Sequence, residues 1–391
     1  MLRTLALPVF TLLLTTPVAA AADDCVAPPL DASGGALART DQAVTGNRIA
    51  GGCGPLEGSV LDVPLGGTPA WVVTDPSDRG GSWFVVLEDG TVELVVDDGD
   101  GAASVTRSET PPLPPGHPPL AFASGPDEVV VGSAFGAHGW FVDPLPDARV
   151  TELSGAALVA PVGPTGRYDH GVLGDALEAS AIEVRDGDGP VSRIAVGSAE
   201  VIEGTSAMVV ELISDDLGPE LLVTVSDGDD GARLRAYALD GSVVAESEPI
   251  GQGYRWLHQI GAGRLAPDGE LEIIAVRTPH IGGSVEAYRL VDDRLELVAS
   301  TSGYSSHQLG SANLDMALLA DADGDGRLDV VVPTQSLDEL AVLARTADGF
   351  SQLDRLALDG RLSTNVAATP TQGGGLVLAA GTDDGKLRIF R

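Results

Sequence analysis

Asp321-Ala322-Asp323-Gly324-Asp325-Gly326-Arg327-Leu328-Asp329 runs straight into Val330-Val331-Val332-Pro333, and this stretch decides the fold. Carboxylates at relative positions 1, 3, 5 and 9 converge on one cation only if the backbone coils tightly. Gly324 and Gly326 allow that, because glycine reaches positive φ without steric cost. Calcium takes several oxygen ligands at flexible distances, and the loop offers Asp321, Asp323, Asp325, Asp329 and the Arg327 carbonyl. The spacing opens like an EF-hand, but position 12 is Val332 instead of a bidentate Glu. A β-branched run follows, not a helix. The expectation is a strand–calcium loop–strand element closed by Asp329, set against the plainer alternative of a solvated acidic turn.

Outward from this loop the chain repeats itself. Gly303-Tyr304-Ser305-Ser306-His307-Gln308-Leu309-Gly310 echoes Gly253-Tyr254-Arg255-Trp256-Leu257-His258-Gln259-Ile260-Gly261. Each is followed by an Asp-Gly loop and several short apolar runs. Innermost strands are expected to begin near residues 71, 120, 170, 207, 258, 307 and 365. Seven such units of four strands describe an all-β, seven-bladed β-propeller over residues 56–391. The last unit runs out after three strands. Ser59 to Pro64 resembles the fourth strand Ser242 to Glu246, so this N-terminal strand is expected to complete and close the last blade. A β-sandwich would explain neither the period nor the missing strand.

The stretch from Leu309-Gly310-Ser311 through the acidic loop to Pro333 resembles an FG-GAP/VCBS repeat. Such repeats build the propeller of integrin alpha subunits and of many secreted bacterial proteins, with calcium in the loop between first and second strands. The resemblance is close over one blade. Elsewhere the loop is degenerate: Asp268-Gly269 and Glu272 remain in one unit, Asp215-Asp216 and Glu220 in another. One good calcium site is therefore expected. The Asp-Gly clusters at 97–101, 186–189 and 227–231 read first as hairpin turns.

The ends and the composition bound the rest. Residues 1–22 carry a short basic start, a Pro-broken apolar run and a small-residue cleavage site, the pattern of a secretory signal peptide. Residues 23–55 form a leader in which Cys25 and Cys53, the only two cysteines, are expected to pair in an oxidising compartment. The product is expected to be periplasmic or secreted, monomeric and without a membrane-inserted segment. A net charge of −34 argues against nucleic acid as a partner. With 50 Gly and 26 Pro, the chain suits short strands and tight turns.

Antiparallel strands reverse at each turn, so strand 4-to-1 and 2-to-3 connections share the face opposite the calcium loop. Arg255, Trp256, Tyr304 and Arg277, with His258, His280 and His307, are expected there. One reading makes the histidines structural, bonding blade to blade. The other makes this face a binding site for a protein or an anionic or sugar-like ligand, with the arginines as charge partners and Trp256 and Tyr304 as stacking surfaces. A His-based metal site ranks below both. No nucleophile elbow, zinc-protease helix or phosphate loop occurs. A binding or scaffold role is therefore favoured over the alternative, a periplasmic lyase or hydrolase working at the channel mouth.

Overall fold

The computed structural model describes residues 46–391, except 57–58, 76–80, 100, 114–118, 126–127, 134–140, 155–156, 187–188, 214–217 and 372. The expected signal peptide, most of the leader, Cys25 and Asp215-Asp216 lie outside the described residues. Among those described, the regular elements are all strands.

β1 (Ile49–Cys53) and β2 (Val60–Pro64) come first, and both join sheets made by distant parts of the chain. β3 (Pro69–Thr74), β4 (Ser82–Leu87), β5 (Val92–Asp97) and β6 (Ala103–Arg107) form an antiparallel meander. β7 (Pro119–Gly125) and β8 (Glu128–Ser133) pair as two strands. A second four-stranded meander comprises β9 (Thr151–Ser154), β10 (Ala157–Thr165), β11 (Glu178–Asp186) and β12 (Gly189–Ala195). The short β13 (Val201–Ile202) ties it to the next meander, β14 (Met208–Val210), β15 (Glu220–Ser226), β16 (Arg233–Tyr237) and β17 (Val243–Ser247). Then come β18 (Leu257–Arg264), β19 (Leu271–Arg277), β20 (Ser284–Val291) and β21 (Arg294–Ser302). β22 (Leu318–Asp321), β23 (Asp329–Pro333), β24 (Glu339–Thr346) and β25 (Gly349–Ala357) follow. Last are β26 (Leu362–Pro370), β27 (Leu376–Thr382) and β28 (Lys386–Phe390).

β2 pairs antiparallel with β28, from Val60 opposite Phe390 to Pro64 opposite Lys386. The last meander thus gains its fourth strand from the N-terminal part of the chain, where the sequence located it. Second strands such as β15 and β23 are apolar and buried along their whole length, whereas the outer β6 and β25 are mostly exposed. A strand buried on both faces reads as a continuous apolar run. The core lies between meanders packed face to face. One cluster joins Leu318 and Val342 to Val366 and Leu378; another joins Val377 and Ile389 of the last meander to Val72 and Val85 of the first. Asn365 seals that junction, exchanging hydrogen bonds of 2.9 and 2.8 Å with the Val72 N–H and carbonyl.

Three expectations shift. The unit placed near residue 170 begins instead at β9, and residues 166–177 connect β10 to β11. Pro161, Gly163 and Pro164 disguise β10 as a loop in the sequence. His307 does not start an innermost strand: residues 303–317 form a loop before β22. There Ser311 Oγ accepts from the Asn313 N–H and Asn313 Oδ1 from the Asp315 N–H, local bonds that compete with extension. Part of the leader is core structure, since β1 runs parallel to β22, with Ile49 opposite Leu319 and Cys53 opposite Asp321.

Candidate functional site: an acidic loop and the opposite loop face

β22 leads from the 303–317 loop down to the acidic loop, so the loop that carries His307 and the loop that Asp321 opens lie at opposite ends of this strand. Asp321 is fully buried, and its two carboxylate oxygens accept from the Gly324 and Gly326 N–H groups at 2.7 and 3.0 Å. Asp329 accepts from the Ala322 N–H at 3.0 Å. Oxygens of Asp321, Asp323 and Asp325 lie within 4.8 Å of one another. Burial raises the Asp329 carboxyl to about 7, reinforced by the neighbouring aspartates; burial also raises Asp321. The Arg327 side chain pairs with Asp325, on the exposed rim. The Gly54 N–H donates to the Asp321 carbonyl at 2.7 Å, so the end of β1 braces the loop.

The degenerate loop between β18 and β19 is arranged differently. Arg289 binds both oxygens of Asp268 and reaches the buried Glu272 at 2.8 Å. Arg345 approaches Glu272 from the other side at 3.1 Å. Asp227 makes a turn, accepting from the Asp229 and Asp230 N–H groups at 2.9 and 2.7 Å.

At the other end, rings form two groups, one of Tyr168, His170 and Tyr254 and one of three histidines around Trp256. Tyr168 and Tyr254 stack at 5.0 Å, with His170 edge-on to both. Trp256 stacks on His258 at 4.6 Å and lies within 6.0 Å of His280 and 5.2 Å of His307. The antiparallel pairing of Leu257 with Arg277 returns β19 to this end and so delivers His280. Tyr254 and Thr278 flank the cluster with φ of 56° and 46°, uncommon for non-glycine residues.

The protonation pattern of two histidines follows from their partners. His307 Nε2 lies 2.6 Å from the Ser311 carbonyl, which only accepts, so this nitrogen carries the proton. Burial pushes His307 down to about 3 and keeps the ring neutral. Its Nδ1 therefore accepts from His280 Nε2–H at 2.8 Å. Burial holds His280 near 4, which leaves its Nδ1 as a lone pair. His258, bonded through Nδ1 to Ser306 Oγ at 2.8 Å, is pushed down by burial and by His307, Arg48 and Arg149.

Two loops meet over this cluster. The Gly310 N–H donates to the Val172 carbonyl at 2.9 Å, joining the 166–177 and 303–317 loops. Gly174, at φ +104°, comes so near Gly310 that a Cβ there would meet its carbonyl at 2.8 Å. Val172, Leu173 and Leu314 pack on Trp256. Trp256 is consequently 2% exposed, its indole N–H held by the Glu203 carbonyl at 3.1 Å, and is not an open stacking surface. Tyr304 also departs from expectation: it is core, packed with Ala317 and Val332. Arg277 turns to the Ile250 carbonyl and toward Glu286, and Arg255 to the Tyr254 carbonyl. His258 lies buried, so Arg255, His258 and His280 do not face one substrate together.

Beside the cap lies an open cleft of about 350 Å³. Trp71, Leu87 and Leu113 form its apolar wall; Gln308, Asn313 and Arg361 form its polar one. Tyr254, Ile281 and Leu309 stand exposed on loops of the same face. Sequence reasoning passed over Arg48, Arg149, Asp315 and Glu203. Glu203 is buried, its carboxylate shared by His170 and the Ser226 hydroxyl. An arginine just before a strand in so acidic a chain was the available signal for Arg48 and Arg149.

No protein-family model and no curated protein sequence matches the chain. Among solved structures, the chain is similar to the WD40 β-propeller domain of Doa1, with 10% identity and a TM-score of 0.44, covering 85% of this chain and 95% of that one.

Proposed function

We propose that the chain is an exported, calcium-stabilised, seven-bladed β-propeller that serves as a binding or scaffold module for a protein or an anionic or sugar-like ligand. The blade count takes β7 and β8 as the inner half of the second blade. From β9 onward each meander packs on the next, the last packs on the first, and β2 supplies the missing strand. A Cys25–Cys53 bridge would fasten the leader where β1 ends.

Calcium fits the acidic loop. Four carboxylates there face a single guanidinium, whereas in the neighbouring degenerate loop Arg289 provides the positive charge. Asp321, Asp323, Asp325 and Asp329, with the Arg327 carbonyl, would hold the ion, which supplies charge compensation and rigidity.

The observation that carries the binding role is the cleft, whose polar wall of Gln308, Asn313 and Arg361 meets an apolar wall on the face away from the acidic loop. Screening glycan and peptide arrays with the full chain tests it. A hit should weaken at least tenfold, about 1.4 kcal/mol, in Arg361→Ala and Asn313→Ala and be unchanged in Asp323→Ala. Hits indifferent to both cleft variants would overturn the assignment.

A further inference from the structure

We propose that a monovalent alkali cation, sodium in a saline medium, binds between the buried carboxylates of Glu178 and Glu203, with the Tyr168 hydroxyl as a third oxygen ligand.

Strand register brings the two glutamates together. Ala179 of β11 pairs antiparallel with Ile202 of β13, so the next positions, Glu178 and Glu203, stand opposite each other on one side of the sheet. Like charges directly opposite are destabilising. Glu178 is 2% exposed and Glu203 1%, so water does not screen them. Among the described residues, no lysine or arginine pairs with either carboxylate; His170 Nδ1 meets Glu203 Oε1. Burial, and then the charges of Glu203, Asp147 and Asp175, push the Glu178 carboxyl up to about 10.

Unfilled oxygens are the second reason. One Glu178 oxygen faces the Gly204 N–H, and Oε2 is buried without a hydrogen-bond partner. The Tyr168 hydroxyl, 1% exposed, is buried beside Ser226 and the Tyr254 backbone without a well-formed hydrogen bond to either. Both glutamate charges act on that hydroxyl. The Ser226 hydroxyl donates to Glu203 Oε2, and each Glu203 oxygen keeps a second lone pair.

A proton on Glu178 would remove the repulsion but create a buried O–H without an acceptor, because one oxygen faces a donor and the other faces no partner. A cation removes the repulsion and uses the idle oxygens together, one of the few ways a buried charge is tolerated. One charge suffices, since Glu203 is already engaged at both oxygens and the remaining ligand is a neutral hydroxyl. Tyr254, stacked on Tyr168, and the partly exposed His170 stand between this pair and solvent.

Thermal melts of the full chain in sodium, potassium or choline chloride at constant ionic strength test the proposal. The melting temperature should rise saturably as sodium or potassium replaces choline. Glu178→Gln keeps the shape, removes one charge and should abolish that rise. Tyr168→Phe, retained in case Glu178→Gln fails to fold, should raise the half-saturating sodium concentration about tenfold through loss of one buried oxygen contact. Identical melting in all three salts, or a sodium response that survives in Glu178→Gln, would overturn the proposal.

Discussion

The Arg289 guanidinium grips both carboxylate oxygens of Asp268, at 2.7 and 3.0 Å. Asp268-Gly269-Glu270-Leu271-Glu272 aligns with Asp325-Gly326-Arg327-Leu328-Asp329 of the complete acidic loop. Ile273 pairs with Tyr288 and Val330 with Leu343, so Ala344 stands where the degenerate unit has Arg289. The chain supplies its own cation in the unit that has lost two acidic positions.

Arg289→Ala should therefore destabilise the fold by about 2 kcal/mol, less than a fully buried pair because Arg289 is partly exposed and Arg345 still serves Glu272. Urea unfolding measures this. Added calcium should not restore the loss, because two carboxylate positions are missing. A change below about 0.5 kcal/mol, the range of ordinary surface substitutions, would remove Arg289 from this role.

Calcium at a hundredfold excess over its dissociation constant should raise stability by about 2.7 kcal/mol. Chelator-treated protein is the reference, and thermal melts give the shift. Asp323→Ala, at an exposed position, should abolish the response without harming the calcium-free fold. Equal melting with and without calcium in the unaltered chain would leave the loop an acidic turn.

Much of this was legible. Turn spacing and apolar runs located most strands, and the one unpaired edge pointed to residues 59–64. The acidic loop announced itself by spacing. Less visible was β10, whose two prolines and positive-φ Gly163 imitate a loop. The central cluster was hidden for another reason: Arg48 and Asp315 are 267 positions apart in sequence, and only the parallel pairing of β1 with β22 brings them together. Periodicity reports which faces are apolar; it does not report which loops fold over a neighbouring ring. Trp256 and Tyr304 therefore looked like surface and are buried.

Acid should weaken the fold through the histidine cluster. His280 and His307 titrate near 4 and 3 when folded, against about 6.5 unfolded. Their contribution is complete above pH 6.5 and is lost as pH falls from there through 4 toward 3. His280→Gln keeps an N–H donor for His307 without a titrating ring. It should match the parent at pH 7.5 and lose less stability between pH 6.5 and 4.5. Parallel pH profiles for the two proteins would show that the cluster does not set the acid limit.

Two asparagines stand in for strand partners between sheets. Asn365 bonds both polar groups of Val72, and Asn47 bonds both of Ala262, each at 2.8 Å. All four residues are at least 93% buried. Alanine at either position leaves an inner-strand N–H and carbonyl in apolar surroundings, costing about 2–4 kcal/mol for the two groups. Asn365→Asp separates the geometry from the bulk: it keeps the acceptor for Val72 N–H but sets an anion against the Val72 carbonyl. It should cost as much as alanine at neutral pH. Asn47→Ala should additionally loosen β1, so hydrogen exchange at Ile49 to Cys53 should accelerate there and stay slow in Asn365→Ala. If both variants unfold within about 0.5 kcal/mol of the parent, the junctions are held by apolar packing and the asparagines only fill space.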